Sequence, residues 1–280
     1  LIKKNYEVIV IDNLSSGKVS NINKFAIFFN EDLKNFNKID DIFKDNEIEA
    51  IYHLSAQVSV VNSINDPIND ANENIINTLN LIQLCKKYNV KKFICASSAA
   101  VYGNCNKLPI IEEEKLKPIS PYGISKLAME FYVENSGLDY LIFRFSNVYG
   151  PRQYTSSESG VISIFCNNLI NKKSHIVYGD GNQTRDFVFV EDVVEVMINA
   201  LEKNITKKTM NLSTNISTTI NQIVNLLNID GNNMSELEER IVREDKDLEK
   251  HFNLRILLKG QEDNKIMESI VKNLFIENNV

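Results

Sequence analysis

The chain has 280 residues, of which 43% are apolar, and a formal net charge of −6. Lysine and arginine are dispersed without a basic stripe, which argues against nucleic-acid binding, and no apolar run reaches the roughly 18 residues of a membrane span. The four cysteines lie apart and only three histidines accompany them, so neither a metal site nor a disulfide framework is expected. We therefore expect a cytoplasmic protein that acts on a small molecule.

The first predicted elements are the end of a helix and a buried strand. Residues 1–5 place two lysines and an asparagine where a helix usually ends. The run YEVIVID that follows is rich in β-branched residues and is bounded by Asp12, which predicts a strand of a parallel sheet. The chain thus begins inside a βαβ unit, and we expect a further segment to precede Leu1.

Strand-like runs then recur with helical patterns between them: EVIVID, AIYHLSA, KKFICASS, YLIFRFS, DFVFV and TMNLST. This alternation predicts an α/β protein with a parallel sheet. Residues 71–88 repeat apolar positions on one helical face and end in KKYN, which predicts a crossover helix. Beyond Pro151 the pattern loosens into loops, a SHIVYGDG strand and turn, and a helix opened by a Thr219-x-x-Gln222 capping box.

The stretch ISPYGISKLAMEFYVENSG predicts a helix that carries chemistry. Ser120 suits the N-cap, Pro121 the first helical position, and Gly137 the end. Tyr122 and Lys126 then share one face, about 6 Å apart along the axis. The helix N-terminus and the ammonium both favour the ionised tyrosine, so we expect its pKa to fall below the usual value of about 10. The alternative is an aromatic core residue with a solvated lysine.

Two strands end in small and polar residues. FICASSAAVYG runs into Ser97 and Ser98, and IYHLSAQ ends in a similar way. Open α/β sheets bind ligands at the carboxyl ends of their strands, so both ends are candidate parts of a nucleotide crevice. The alternative for the serines is a simple role in a turn.

Six motifs in this order carry a resemblance to a known family: DNLSSG, HLSAQ, SSAAVYG, YGISK, FRFSNVYGPRQ and GDGNQTRDFVFVEDV. Over roughly residues 1 to 228, the chain resembles the extended short-chain dehydrogenase/reductase family, specifically its NAD-dependent sugar-nucleotide epimerases. The resemblance implies that Tyr122 is the catalytic base, that Lys126 is its partner and a ligand of the nicotinamide ribose, and that Ser98 contacts the sugar oxygen.

The resemblance also implies binding residues. The implied NAD contacts are Asp12, Asn13, Asp32, Leu54, Ala56, Gln57, Asn74, Ser97, Tyr122 and Lys126. The implied contacts with a UDP-sugar are Ser98, Asn147, Arg185 and Arg243. An arginine suits such a site because its planar fork matches phosphate oxygens. For Asn147 and Arg185 the alternatives are a loop hydrogen bond and a surface ion pair.

The implied fold is a Rossmann-type doubly wound parallel sheet with a smaller C-terminal substrate lobe. The NAD-binding domain would comprise 1–150 and about 184–214, and the lobe 151–183 and 215–280. The family's first strand and glycine-rich turn are absent from the chain as written, so we expect a fragment that folds poorly and does not retain NAD. The tail from about residue 229 is atypical, through divergence or a shifted reading frame.

The implied reaction is 4-epimerisation of a UDP-hexose through a transient 4-keto sugar, carried out by a homodimer. One alternative is a 4,6-dehydratase, which typically needs an Asp-Glu pair where this chain has Ala99 and Ala100. The other alternative is a non-catalytic protein that binds a sugar nucleotide or serves in an interaction.

Overall fold

The computed structural model describes residues 1–153, 160–171, 173–174 and 176–227. Strands and helices alternate along these residues, so the chain is an α/β protein, as the sequence predicted. No helix in these ranges is long and apolar enough to cross a lipid bilayer. The strands are β1 (Ile9–Ile11), β2 (Ile27–Phe29), β3 (Ala50–His53), β4 (Lys92–Ser98), β5 (Asp139–Phe145), β6 (Asn147–Tyr149), β7 (Thr184–Arg185), β8 (Phe187–Phe189), β9 (Lys208–Leu212) and β10 (Thr218–Thr219).

The helices lie between these strands, with short helical turns beside them. The α-helices are α1 (Phe36–Asp45), α2 (Val60–Asn65), α3 (Pro67–Ala71), α4 (Asn77–Lys87), α5 (Pro121–Glu134), α6 (Val161–Ile170), α7 (Val190–Glu202) and α8 (Ile220–Leu227). A π-helical turn, Asn72–Ile76, joins α3 to α4, and 3₁₀ turns occupy Ile2–Lys4, Val19–Asn21 and Ala99–Tyr102.

The principal sheet is parallel and has the strand order β3-β4-β5-β9. Its register pairs Ile94 of β4 with Leu141 of β5, and both side chains are fully buried. Strand β1 pairs in parallel with β2 in a separate two-stranded sheet. In the ranges that the structure describes, no strand joins β1 to β3.

The apolar core of this part lies between the principal sheet and helices α1, α4 and α5. Ile39 of α1, Leu84 of α4 and Met129 of α5 pack into one cluster with Phe93 and Ile142 of the sheet. These helices therefore bury one apolar face each, as their periodicity requires.

The described chain divides into two compact units. The first is Leu1–Ser146 with Glu195–Leu212, and the second is Asn147–Val194 with the described residues from Ser213 onward. The second unit has its own apolar cluster, which includes Phe165, Phe189 and Ile223. The assignment of NAD binding to one part and substrate binding to the other stays a prediction.

The structure confirms several sequence predictions of where helices begin and end. The helical end predicted at residues 1–5 is the Ile2–Lys4 turn, which Asn5 ends with a φ of 63°. The capping box is also confirmed: the Thr219 hydroxyl accepts from the Gln222 backbone N–H at 3.0 Å, and Gln222 Oε1 accepts from the Thr219 backbone N–H at 2.7 Å. Short-range hydrogen bonds of this kind depend on neighbouring residues alone.

The crossover helix predicted over residues 71–88 is confirmed: the π-helical turn Asn72–Ile76 leads directly into α4, and both lie between the parallel strands β3 and β4. One local prediction was wrong. The SHIVYGDG segment forms no strand in its described residues, although Gly179 and Gly181, each with a φ of 74°, do form the predicted turn. Apolar alternation alone does not supply a neighbouring strand to pair with.

Candidate active site

The three predicted catalytic residues all lie in the first unit, at the end of β4 and on α5. Ser98 is the last residue of β4, and its hydroxyl accepts from the Ala100 N–H at 3.2 Å. Helix α5 begins at the predicted N-cap, where the Ser120 hydroxyl accepts from the Gly123 N–H at 3.1 Å. A Cβ at Gly123 would lie only 2.7 Å from the Ala100 carbonyl oxygen. The glycine therefore lets the first turn of α5 approach the end of β4 closely.

Tyr122 and Ser98 are joined by a side-chain hydrogen bond. Burial raises the pKa of Tyr122 above its usual value; the Ser98 hydrogen bond opposes this rise, and the negative charge of Asp70 adds to it. The predicted fall of the Tyr122 pKa was therefore wrong in direction. Desolvation of the hydroxyl outweighs the favourable end of the helix, because burial penalises the phenolate.

Lys126 is buried and its side chain is 4% exposed. Its Nζ donates to the Ala96 carbonyl oxygen of β4 at 3.0 Å. Burial lowers the pKa of Lys126 to about 8, while nearby Cys95, Asp70 and Glu130 oppose that fall. A lysine with this pKa can change its charge near the pH of the cell, which an exposed lysine does not do.

Asn74 fastens the loop after β3 to the helices. Its Oδ1 accepts from the Gln57 N–H at 2.9 Å, and its Nδ2 donates to the Gln57 carbonyl oxygen at 3.0 Å. The same Nδ2 contacts the Ser125 hydroxyl of α5 at 3.0 Å and Asp70 Oδ1 at 3.2 Å. The side-chain amide of Gln57 is also engaged, with Ser59 and Asp70. Both predicted NAD ligands thus make their polar contacts within the protein.

The π-helical turn places this asparagine. The Thr78 hydroxyl donates to the Asn74 carbonyl oxygen at 2.7 Å, which satisfies a carbonyl at the irregular turn. Since that proton is committed, the Thr78 oxygen accepts from His53 Nε2 at 2.9 Å. Burial, with the nearby charge of Lys126, lowers the pKa of His53 to about 3, so this histidine is neutral.

The remaining predicted NAD residues of the first unit follow strand ends. Asp12 follows β1 and its Oδ1 accepts from the Leu14 N–H at 2.7 Å. Asn13 Nδ2 donates to Asp32 Oδ2 at 2.9 Å, so the structure brings these two together. Burial opposes ionisation of Asp32, but hydrogen bonds from Lys34 and Asn13 outweigh it and lower the pKa of Asp32. Leu54 and Ala56 follow β3, and Leu54 is exposed.

Ser97 lies next to the candidate catalytic serine but is itself buried. Its hydroxyl donates to the Glu130 carboxylate of α5. Glu130 also accepts three hydrogen bonds from two nitrogens of the Arg144 side chain, at 2.7, 3.0 and 3.2 Å. The hydroxyl of Ser97 is thus part of a buried ion-pair network, and its predicted contact with NAD stays a prediction.

The second unit contains Asn147 and Arg185, which line one cavity of about 240 Å³. Asn147 Nδ2 donates to the Asp186 carbonyl oxygen at 3.0 Å, and the Arg185 guanidinium contacts the Thr184 carbonyl oxygen at 2.8 Å. The rest of the cavity wall is largely apolar and aromatic, and includes Phe165, Ile176, Tyr178 and Phe187. Arg243 lies outside the described residues.

Several buried polar residues of the site were not predicted. They are His53, Asp70, Thr78, Ser125, Glu130 and Arg144. Part of this set had a signal in the sequence, because Asp70 and Asn74, like Lys126 and Glu130, are four residues apart on a helix and therefore share a face. The pairing of Glu130 with Arg144 joins a helix to a strand, and no sequence spacing indicates it.

Comparisons with known proteins show the family of the chain. A model of the NAD dependent epimerase/dehydratase family matches residues 1–213. A UDP-glucose 4-epimerase of Mycolicibacterium smegmatis is 35% identical over 71% of this chain and 67% of its own length. A dTDP-D-glucose 4,6-dehydratase of Dictyostelium discoideum is 31% identical over 75% of this chain and 53% of its own. The structure of a UDP-glucose 4-epimerase from Thermotoga maritima, solved with UDP-glucose, is 42% identical, covers 81% of this chain and 75% of that one, and has a TM-score of 0.79.

Proposed function

This chain belongs to the NAD dependent epimerase/dehydratase family, and we propose that it catalyses the 4-epimerisation of a UDP-hexose. The observation that carries the proposal is the grouping of Ser98, Tyr122 and Lys126 at the end of β4 and the start of α5. In this grouping the hydroxyl groups of Ser98 and Tyr122 are hydrogen-bonded, and the buried Lys126 has a pKa of about 8. Such perturbed groups at a strand end are typical of catalytic sites.

In the proposed reaction, Tyr122 is the base that removes the proton of the 4-hydroxyl group and later returns it. Ser98 contacts the same sugar oxygen and holds it beside the tyrosine. NAD, when bound, supplies a reversible acceptor for the hydride of C4. Because burial opposes the phenolate, the proton transfer requires a nearby positive charge, and Lys126 provides it while its amine is protonated.

The residues at the strand ends fit NAD. Asp12 follows a parallel strand, where an acidic residue suits ribose hydroxyl groups. Asn13 and Asp32 form a second polar group nearby, and exposed Leu54 offers an apolar contact. Asn74 and Gln57 would act by shaping the loop after β3, since the Asn74 side chain bonds the Gln57 backbone and the Gln57 side chain bonds Ser59 and Asp70.

The cavity of the second unit supports a nucleoside diphosphate as part of the substrate. Its aromatic wall, with Tyr178 and Phe187, suits the face of a uracil base, and Arg185 suits a diphosphate. Asn147 offers an amide that can bond a phosphate or ribose oxygen. The T. maritima relative was solved with UDP-glucose, which favours the same substrate class here.

The dehydratase alternative has support from the Dictyostelium relative. However, Ala99 and Ala100 open the 3₁₀ turn directly after Ser98, and an alanine side chain cannot move a proton. Eliminating water from a sugar needs a further acid and base. A non-catalytic binding protein is less well supported, because all three proposed catalytic residues are present and grouped.

We also propose that the chain forms a homodimer. Helices α2, α3 and α5 pack together and present exposed apolar side chains, among them Ile64, Ile68, Ile124 and Phe131. Large exposed apolar side chains grouped on packed helices are typical of an interface. Sedimentation equilibrium tests this point, and a monomer at micromolar concentration would contradict it.

The experiment for the main proposal compares Tyr122→Phe with the parent in the full-length protein, using UDP-glucose and added NAD under conditions in which the parent turns over. We expect the substitution to lower turnover about 100-fold or more, with UDP-glucose binding retained, because only the ionisable oxygen is removed. The product should have the mass of the substrate. Tyr132→Phe is the matched control, since Tyr132 is exposed on the same helix. A product lighter by one water molecule, or equal turnover in both variants, would reject the proposal.

A further inference from the structure

Asp70 is a buried carboxylate with no role assigned so far. It lies near the end of α3 and is 1% exposed. Its Oδ1 accepts from Gln57 Nε2 at 2.7 Å and from Asn74 Nδ2 at 3.2 Å. In the part of the chain that the structure describes, both side-chain partners of Asp70 are neutral amides. A buried charge is costly unless it is compensated, so a neighbouring cation is expected.

A hydrogen-bonded bridge leads from Asp70 to the catalytic helix. Asn74 Nδ2 contacts both Asp70 and the Ser125 hydroxyl, the latter at 3.0 Å. The Ser125 hydroxyl donates in turn to the Tyr122 carbonyl oxygen at 3.0 Å. Lys126 is the next residue along the helix. The bridge therefore connects Asp70 to the turn of α5 that carries Tyr122 and Lys126, and the charge of Asp70 raises the pKa of both side chains.

The other titratable groups around Lys126 are less suited to be its counter-charge, although Cys95 and Glu130 also oppose the fall of its pKa. Burial raises the pKa of the Cys95 thiol to about 12, and burial lowers the pKa of His53 to about 3, so both are neutral near pH 7. Glu130, one turn further along α5, is already paired with Arg144 at 2.7 Å. Among these neighbours, Asp70 is the carboxylate that has no cationic partner of its own.

We propose that Asp70 is a positioning residue of the Tyr122–Lys126 pair: its carboxylate is the counter-charge of Lys126, and its bonds to Gln57 and Asn74 hold the bridge to α5. The inference rests on the proposed function, because it assigns Asp70 to the site that Tyr122 and Lys126 form. Its purpose in the reaction is to keep the buried amine protonated, and so available as the positive charge beside Tyr122.

The test measures the titration of Lys126 by NMR in the full chain, labelled with ¹³Cε-lysine. The Lys126 signal is identified by its loss in Lys126→Met, and the parent midpoint is expected near pH 8. Asp70→Asn removes the charge but keeps an oxygen where both amides donate. We expect the Lys126 midpoint to fall by about one unit, the size typical of losing a nearby opposite charge.

Glu73→Gln is the matched control. Glu73 lies three residues from Asp70, but its carboxylate pairs with Lys34, so the Lys126 midpoint should not move. Asp70→Ser is the second neutral variant, used if Asp70→Asn does not unfold cooperatively. A Lys126 midpoint that is unchanged or higher in the folded neutral variant would overturn the inference. The measurement needs neither NAD nor a UDP-sugar, so it is independent of the Tyr122→Phe result.

Discussion

Asp70 and Glu130 are both buried carboxylates of the first unit, and each is 1% exposed. Glu130 receives three charged hydrogen bonds from Arg144, at 2.7, 3.0 and 3.2 Å, and a further hydrogen bond from Ser97. Asp70 receives hydrogen bonds only from neutral amides in the described residues. The charge of Glu130 is balanced mainly by Arg144, although it also raises the Lys126 pKa, whereas the charge of Asp70 acts on both Tyr122 and Lys126.

The Glu130 network holds several elements together. Burial opposes the charge of Arg144, but its bonds to Glu130 and Tyr102 outweigh this and raise the Arg144 pKa. Arg144 donates to the Tyr102 hydroxyl at 2.8 Å, and that hydroxyl donates to Asn211 of β9 at 2.7 Å. The network therefore links α5, β5, β9 and the turn after Ser98. The comparison predicts that Glu130 contributes mainly to stability and Asp70 mainly to the electrostatics of the Tyr122–Lys126 pair.

The largest expected effect on stability comes from removing Arg144, the partner of the Glu130 carboxylate. We expect Arg144→Met to lower the free energy of unfolding by about 3 to 5 kcal/mol, because it leaves Glu130 buried and uncompensated. Urea unfolding followed by circular dichroism measures the change.

The double variant Arg144→Met with Glu130→Leu is the control. Replacing both partners by apolar side chains should recover much of the lost stability, since a buried ion pair is itself costly to desolvate. If the double variant is as unstable as the single one, the loss comes from packing and from Tyr102, and the comparison between the two carboxylates fails.

Much of the fold could be predicted from the sequence, because its signals are local. The apolar runs predicted β3, β4, β5 and β9, and Ser120 with Pro121 predicted the start of α5 correctly. The capping box at Thr219 was likewise readable from residues three positions apart. Such features depend on short-range sterics and hydrogen bonds, which the order of residues determines directly.

The electrostatics of the site could not be predicted in the same way. The sequence placed Tyr122 at a positive helix end, but it contained no measure of burial, and burial controls the direction of the Tyr122 pKa. The π-helical turn that aims Asn74 has no simple residue signature. The pairing of Glu130 with Arg144 depends on how α5 lies on the sheet. These features arise from tertiary contacts, which a single sequence does not specify locally.

A second, smaller effect is expected for Lys126→Met, and it depends on pH. The Lys126 pKa is about 8 in the folded chain and 10.5 in an unfolded one. Between these values the unfolded state binds the extra proton, so the contribution of Lys126 to stability rises with pH. Relative to the parent, the variant should gain about 2 kcal/mol at pH 7, since a buried charge is removed but a hydrogen bond is lost.

This gain in stability should shrink as the pH rises from about 8 to 10.5. Above that range Lys126 is neutral in both the folded and the unfolded parent, so folding no longer requires the loss of a proton. Burial raises the pKa of the Cys85 and Cys166 thiols to about 12, so these thiols destabilise the parent and the variant equally in alkali. Their effect therefore cancels in the stability difference between the two chains. Urea unfolding of both chains at several pH values gives the result. A difference that stays constant with pH would show that Lys126 remains charged in the folded chain throughout.

The smallest effect on stability is expected for Asp70→Asn, and it completes the comparison with Glu130. Both amides that contact Asp70 donate to the same oxygen, Oδ1, so an asparagine carbonyl can accept from both. The hydrogen bonds then survive and only the charge is lost, and we expect a change in unfolding free energy within about 1 kcal/mol. Urea unfolding at pH 7 measures it beside Arg144→Met. A loss as large as that of Arg144→Met would mean that Asp70 is as firmly paired as Glu130, and that its charge is needed for folding and not only for the Tyr122–Lys126 pair.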